Sequence, residues 1–465
     1  MDTELAYNLA LDYLYSFVDY SLKHSSELAK AEFNLDRMFA LMEKLGNPQA
    51  KYPIIHVAGT KGKGSTAAFC ASALQAAGYK VGLYTSPHLE DYCERIQING
   101  KAVSHEQLVQ LVEQVKEAVS QVPKLTTFEI TTAIAFLFFA GQIVDAAVIE
   151  VGLGGRLDAT NIVTPRVSVI TSLSYDHMAV LGDTLAKIAG EKAGIIKPGV
   201  PVVSAPQKSE AEDVLLRIAT ERNAPLTLLG KDMTFNRTYH SLDGQSLRIQ
   251  TPNWSAVDTS ISPDEERRRK RRSISFQIPL LGIHQVENAA TAYTALKLSG
   301  LKMPDEAIAR GFATVRWPAR FEIARHVPPV IFDSAHNQDS FARLREALDE
   351  NFPNLPIFLI FGASEDKNIP GMFKELKPRI KWLIITRADH PRALEVEKIQ
   401  ALAEQAGLRY ETVTPVEAAL ARALELSAKD GSIVLSAGSM FVTAEVITAW
   451  KKYPHSNPSP IGRGA

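Results

Sequence analysis

The run Gly59-Thr60-Lys61-Gly62-Lys63-Gly64-Ser65-Thr66 follows the apolar segment Ile54-Ile55-His56-Val57-Ala58 and opens an alanine-rich helical stretch. Buried strand, glycine turn and helix in direct succession form a unit of layered α/β folds. Such a turn can hold a nucleotide's phosphates. Its three glycines let backbone N–H groups turn inward around anionic oxygens, Lys63 adds a positive charge, and the helix aims its N-terminal dipole at the same ligand. The spelling departs from a strict G-x-x-x-x-G-K-[ST] loop, because Gly59 and Gly62 are closer together and Gly64 stands between Lys63 and Ser65. A glycine-rich strand-to-helix turn without a ligand is the alternative.

The pattern continues along the chain. Residues 1–50 read as helical, with Leu35, Met38, Phe39, Met42 and Leu45 at helical spacing before the breaker Gly46-Asn47-Pro48. The apolar runs 54–58, 81–84, 146–151 and 167–171 read as buried parallel strands, separated by helices such as 104–122 and 127–140. A doubly wound α/β domain follows, whose ligands belong at the carboxyl ends of its strands. Near Ser299-Gly300-Leu301-Lys302-Met303-Pro304 the alternation stops and restarts, with candidate strands at 330–332, 357–361, 382–385 and 432–435. The expected domains are therefore 1–300 and 301–452, with a structureless tail over 453–465. Within the first, 253–275 carries an acidic and then a basic block, read as a solvated surface insertion rather than a nucleic-acid patch.

Charge and cysteine content close off several classes. Lys and Arg number 51 against 52 acids, so no global field draws the chain to nucleic acid or to an anionic membrane. Two cysteines, Cys70 and Cys93, argue against a disulfide framework or a thiolate metal site and fit a reducing compartment. The longest apolar block, 133–140, is too short to span a bilayer, and the N-terminus lacks a signal-like pattern, so a cytoplasmic location is expected.

Further chemistry sits at strand ends. The segment from Glu150 to Asn161 contains Gly152 and Gly154, but a dinucleotide fingerprint needs glycine where Leu157 stands, so that reading is rejected. Glu150, at a strand's end near the phosphate loop, is suited to hold Mg2+ or else forms a structural ion pair. His177, in Ser174-Tyr175-Asp176-His177, lies just beyond the next strand, where an imidazole could complete a metal site. Asn288 near the start of a later helix, Arg320, and Asp333 at a strand end before Ser334-Ala335-His336 supply groups suited to adenine, phosphate and ribose.

Taken together, these segments resemble the folylpolyglutamate synthase and dihydrofolate synthase family of the Mur ligase superfamily. The ordered matches include Leu45-Gly46-Asn47-Pro48, His56 through the loop, Thr85-Ser86-Pro87-His88-Leu89, Glu94-Arg95-Ile96, 150–161, Asp176-His177, Glu191-Lys192-Ala193-Gly194-Ile195, His284-Gln285, Arg320-Phe321-Glu322 and 333–337. The resemblance implies an N-terminal Mur-ligase-like P-loop sheet and a smaller C-terminal Rossmann-like α/β domain. It implies an ATP-dependent ligase that joins L-glutamate to a folate or dihydropteroate carboxylate through an acyl phosphate, with domain closure to keep water from the intermediate. By the same resemblance Ser86, Glu150, His177 and Lys192, the last as a carbamate, hold Mg2+; Gly59 to Thr66 cradle ATP; and Asn288, Arg320, Asp333 and His336 surround the nucleotide. Lys63, Glu150, His177 and Lys192 form the expected catalytic set, and a monomer is the expected working form. Lys61 replaces a frequent asparagine, and Ala319 and Ser334 stand where glycines are frequent. Rival readings are another Mur-type amide ligase and a non-catalytic nucleotide-binding switch.

Overall fold

The computed structural model describes residues 2–19, 33–251 and 272–453. Most of the charged stretch at 253–275, and the tail from 454 on, lie outside these residues. The chain divides into two compact units, one made of 1–240, 244–279 and 284–316, the other of 241–243, 280–283 and 317–465.

The first unit is built on eight strands: β1 (Ile54–Ala58), β2 (Val81–Tyr84), β3 (Ile96–Ile98), β4 (Lys101–Ala102), β5 (Ala146–Glu150), β6 (Val167–Ile170), β7 (Val202–Ser204) and β8 (Leu226–Leu228). Their order is β4-β3-β2-β5-β1-β6-β7-β8. The six strands from β2 to β8 in that order are parallel, whereas β3 and β4 run antiparallel at one edge. Every residue of β1, β2, β5 and β6 is buried, which is why these segments read as unbroken apolar runs rather than alternating ones. The chain goes from β1 to β2 on one side and later places β6 on the other. The carboxyl ends of β5, β1 and β6 therefore stand side by side at a switch in winding direction.

Helix Lys63–Ala76 leaves the end of β1 and packs against helix Asp305–Thr314. Only glycine fits the crossing: a Cβ on Gly311 would come within 2.4 Å of the Ala73 Cα, and the Ser72 hydroxyl donates to the Gly311 carbonyl at 2.7 Å. A separate antiparallel sheet, β11 (Arg272–Ile278), β10 (Gly244–Thr251) and β9 (Thr234–Ser241), was not expected from the sequence. Strand β9 has no buried residue, so hydrophobic alternation gives no signal there.

The second unit carries β12 (Glu322–His326), β13 (Pro329–Phe332), β14 (Ile357–Phe361), β15 (Ile380–Ile385), β16 (Tyr410–Thr412) and β17 (Ile433–Ala437) in the order β12-β13-β17-β14-β15-β16. All pairs are parallel except β12 with β13. Its core is a cluster centred on Ile331, Leu359, Phe361, Ile385 and Leu435.

Candidate active site

The loop from Gly59 to Gly62 owes its shape to two close approaches. Gly59 has φ 153°, and a Cβ there would lie 1.8 Å from the Thr171 hydroxyl oxygen at the end of β6. Gly62 has φ 86°, and a Cβ would lie 2.2 Å from Oδ1 of the buried Asn288. Both positions accept only glycine without rearrangement. The N–H groups of Thr60 and Lys61 donate to the Ser172 carbonyl at 3.0 and 3.1 Å, so these two amides anchor the loop to β6 and are not turned toward a ligand. Helical bonding begins with Thr66, whose N–H donates to the Gly62 carbonyl at 2.9 Å. Among the described residues, the N–H groups of Gly62, Lys63, Gly64 and Ser65 have no protein acceptor, as the first turn of a helix requires. Four donors and a helix dipole thus point out of the sheet edge at one place.

Around this opening the charged side chains gather. Lys63 Nζ lies 3.9 Å from Oε1 of Glu150, a nearly buried carboxylate at the end of β5. The Ser86 N–H donates to Oε2 of the same carboxylate at 3.4 Å. Lys61 sends its ammonium sideways to Asp176 Oδ2 at 2.9 Å. Asp176 Oδ1 in turn accepts the His177 N–H at 3.1 Å, and the His177 imidazole Nε2 lies 3.9 Å from that same oxygen. His177 occupies the left-handed region at φ 49°, a conformation that histidine, like asparagine and aspartate, enters more readily than most L-residues. Lys192, at the end of helix Leu185–Lys192, is buried, and burial assisted by the charge of Lys63 lowers its ammonium to about 7. Asp176 and Asp158 pull the other way. Lys63, Glu150, Ser86, Lys61, Asp176, His177 and Lys192 are thus linked by contact or field at one sheet edge.

The seat of Lys192 is tightly specified. A Cβ on Gly155 would meet the Lys192 carbonyl at 2.9 Å, and one on Gly194 would meet the Arg156 Cα at 2.3 Å. Asn161 clasps both sides, its Nδ2 donating to the carbonyls of Arg156 (3.0 Å) and Gly194 (3.2 Å). The glycine-rich 152–158 segment thus packs against the lysine's backbone and opens no helix of its own; a short 3-10 turn follows at Ala159–Ile162. Asp158 closes the segment by accepting from the Leu153 and Thr160 N–H groups at 2.9 and 3.0 Å. Asp176 and Asp158 carry structural parts of the site that position in the sequence alone does not reveal.

The second unit has its own polar cluster after β13. Asp333 accepts the Phe321 N–H on one oxygen (2.8 Å) and the Ala335 N–H on the other (2.7 Å). Burial raises its carboxyl and the Arg320 charge lowers it, with burial prevailing. Arg320 donates to Ser334 Oγ at 2.8 Å, and His336 Nδ1 bonds the Ser334 carbonyl at 2.8 Å. Ala319 and Phe321 both take positive φ, 56° and 49°, so this turn holds two non-glycine residues in a costly conformation.

One other group of metal-type ligands occurs among the described residues, Asp91, Cys93 and His105 within 4.8 Å of one another. It is a hydrogen-bonded ion cluster. The two imidazole nitrogens meet Glu4 Oε1 at 2.8 Å and Asp91 Oδ2 at 2.7 Å, so neither lone pair is open to a metal and the ring is held as a cation. No helix among the described residues is long and apolar enough to cross a membrane.

The Mur ligase middle domain pattern matches residues 57–296, and that of the Mur ligase, glutamate ligase domain matches residues 319–440. The chain is 36% identical over 422 residues to a dihydrofolate synthase/folylpolyglutamate synthase of Bacillus subtilis, covering 89% of this chain and 94% of that one. It is similar to a Mycobacterium tuberculosis folylpolyglutamate synthase solved with ADP and AMPPCP, with TM-score 0.83, 32% identity and coverage of 92% and 98% of the two chains. It is also similar to Escherichia coli FolC solved with DHPP and ADP, with TM-score 0.78, 29% identity and coverage of 94% and 99%.

Proposed function

The chain belongs to the Mur ligase family, among its folylpolyglutamate and dihydrofolate synthases, and from that premise we propose how its residues divide the work. It is an ATP-dependent ligase that adds L-glutamate to a folate or dihydropteroate carboxylate, releasing ADP and phosphate. The observation that carries the assignment is the junction of four outward N–H groups, Lys63 and Glu150 at the ends of β1 and β5.

ATP sits with its phosphates on the Gly62–Ser65 amides, and Lys63 neutralises charge on them. Asn288, packed over Gly62, borders the same loop. Arg320, Asp333 and His336 are assigned to the nucleotide on the family resemblance. The donors at the sheet edge fit a hard cation: a buried carboxylate, a hydroxyl beside it and an imidazole at the next strand end. Glu150, Ser86 and His177 would hold Mg2+, with Lys192 joining as a carbamate. When bound, Mg2+ would supply positive charge to screen the phosphates as a Lewis acid. An ammonium lowered to about 7 is partly neutral amine near that pH, and the neutral amine adds CO2 to give a carbamate and a proton. The change turns a cation that Lys63 repels into an oxygen ligand.

A carboxylate is a poor acyl donor. Its oxygen attacks the γ-phosphorus, ADP leaves, and an acyl phosphate forms. The neutral amine of glutamate then attacks the acyl carbon, phosphate departs and the amide remains after loss of a proton. The enzyme works as a single chain on small-molecule substrates, in the cytoplasm.

Purified protein with ATP and glutamate, assayed in parallel with dihydropteroate and tetrahydrofolate, tests this reading. ADP release that requires both glutamate and a pterin is expected. Release indifferent to both would leave a nucleotide switch or hydrolase instead.

A further inference from the structure

Glu94 takes no part in the chemistry above, yet its carboxylate is the most heavily used acceptor in the segment that delivers Ser86. Oε2 accepts the Leu89 N–H at 2.8 Å, and Oε1 accepts the N–H groups of Glu90 (3.1 Å) and Asp91 (3.0 Å). The Asp91 bond is half of a capping box on the 3-10 turn Tyr92–Arg95. The other two reach back beyond the cap into the stretch leading to Ser86, and capping alone does not require them. Arg95 closes the same stretch from the other side. Its Nε donates to His88 Nδ1 at 2.9 Å, its guanidinium lies 4.7 Å from the centre of the Tyr92 ring, and its carbonyl accepts the Thr85 N–H at 3.0 Å. Residues 85–95 thus form a loop tied across its neck by Thr85 and Arg95 and filled at its centre by one carboxylate. Ser86 follows the neck directly, with its own N–H on Glu150.

We propose that Glu94 is a positioning residue for the ligation, holding the 86–91 loop so that Ser86 stays against Glu150. This inference rests on the reading of Ser86 and Glu150 as cation ligands. A carboxylate suits the task because it accepts on both oxygens; a glutamine of the same shape turns an NH2 group against backbone donors on one side.

The test measures Mn2+ binding to the full-length protein with ADP present, by electron paramagnetic resonance, alongside amide exchange. Glu94→Gln should weaken Mn2+ by roughly ten-fold, the scale of losses when a ligand's support is removed. It should also speed exchange at Leu89, Glu90 and Asp91. Ser86→Ala should weaken Mn2+ without loosening those amides, and the double variant should bind no worse than Ser86→Ala alone, because both changes act through the Ser86 hydroxyl. Glu94→Asp keeps the charge but falls short of the farther amides, so it should give an intermediate loss even where Glu94→Gln folds poorly. Undiminished Mn2+ binding in both Glu94 variants, or losses that multiply in the double variant, would overturn the proposal while leaving the metal site standing. Undiminished binding in Ser86→Ala would remove Ser86 from the metal reading, and this inference with it.

Discussion

Single atoms decide whether the phosphate loop can exist. At Gly62 a methyl group would sit 2.2 Å from the Asn288 amide oxygen, at a φ of 86° that costs any L-residue about 1–2 kcal/mol. Gly62→Ala is therefore expected to weaken ADP binding about ten-fold or more by calorimetry, a larger effect than its loss of stability explains. Lys63→Ala and Glu150→Gln should each lower kcat by about a hundred-fold, the scale found when one preorganised charge-stabilising group is removed. His56, in the middle of β1, shows how far burial controls protonation. The Thr160 hydroxyl donates to Asp158 at 2.5 Å, so its oxygen accepts from His56 Nε2–H at 2.8 Å, and Nδ1 is left buried without a partner. Burial pushes this histidine down to about 3. The fold holds it neutral while the unfolded chain binds a proton below about 6.5, so the stability it confers is present above that pH and lost as pH falls toward 3. Urea melts of the native protein should lose up to about 1.4 kcal/mol per pH unit from this site in that window, and His56→Asn should flatten the slope.

Elements, rather than residues, determine how much of this was legible in the sequence. The strands that set the site are fully buried and parallel, so 54–58, 81–84, 146–150 and 167–170 stood out as apolar runs, and the loops after them carried the named residues. The grouping of Lys63, Glu150 and Ser86 follows from strand order, which places β5 beside β1 and β2 beside β5. What escaped were elements without a periodic signal: the exposed β9, the antiparallel edge β3 and β4, and the tethering of Thr60 and Lys61 to Ser172, which depends on a backbone carbonyl no side-chain pattern reports. The last positions of the expected 253–275 insertion belong to β11, paired in register with β10, so the insertion ends sooner than its charge pattern suggests. The tie between helix Thr3–Tyr15 and helix His105–Ser120 is another such case. His105 stacks on Tyr7 at 3.7 Å while bonding Glu4 and Asp91, and the Asp91 hydrogen bond, with lesser help from Glu4, raises its pKa. Its contribution is complete below the ordinary histidine value and is lost as pH rises through the elevated one. Amide exchange in Thr3–Tyr15 should accelerate across that rise, and in His105→Gln it should be fast at every pH.

At the scale of the whole molecule, two α/β units carry separate polar clusters, one at the ends of β1, β5 and β6 and one after β13. In the proposed ligation, activation of the acceptor carboxylate by direct phosphorylation precedes the attack of glutamate. It can be read from the fate of one atom. Dihydropteroate or tetrahydrofolate carrying a heavy oxygen isotope in its reacting carboxylate is turned over with ATP and glutamate, and the released inorganic phosphate is analysed by mass spectrometry. One heavy oxygen per phosphate is expected, since the carboxylate oxygen that attacks phosphorus leaves with it. Phosphate free of the label, with the amide product formed in equal amount, would contradict an acyl phosphate and with it the role given to Lys63 and the Gly62–Ser65 amides.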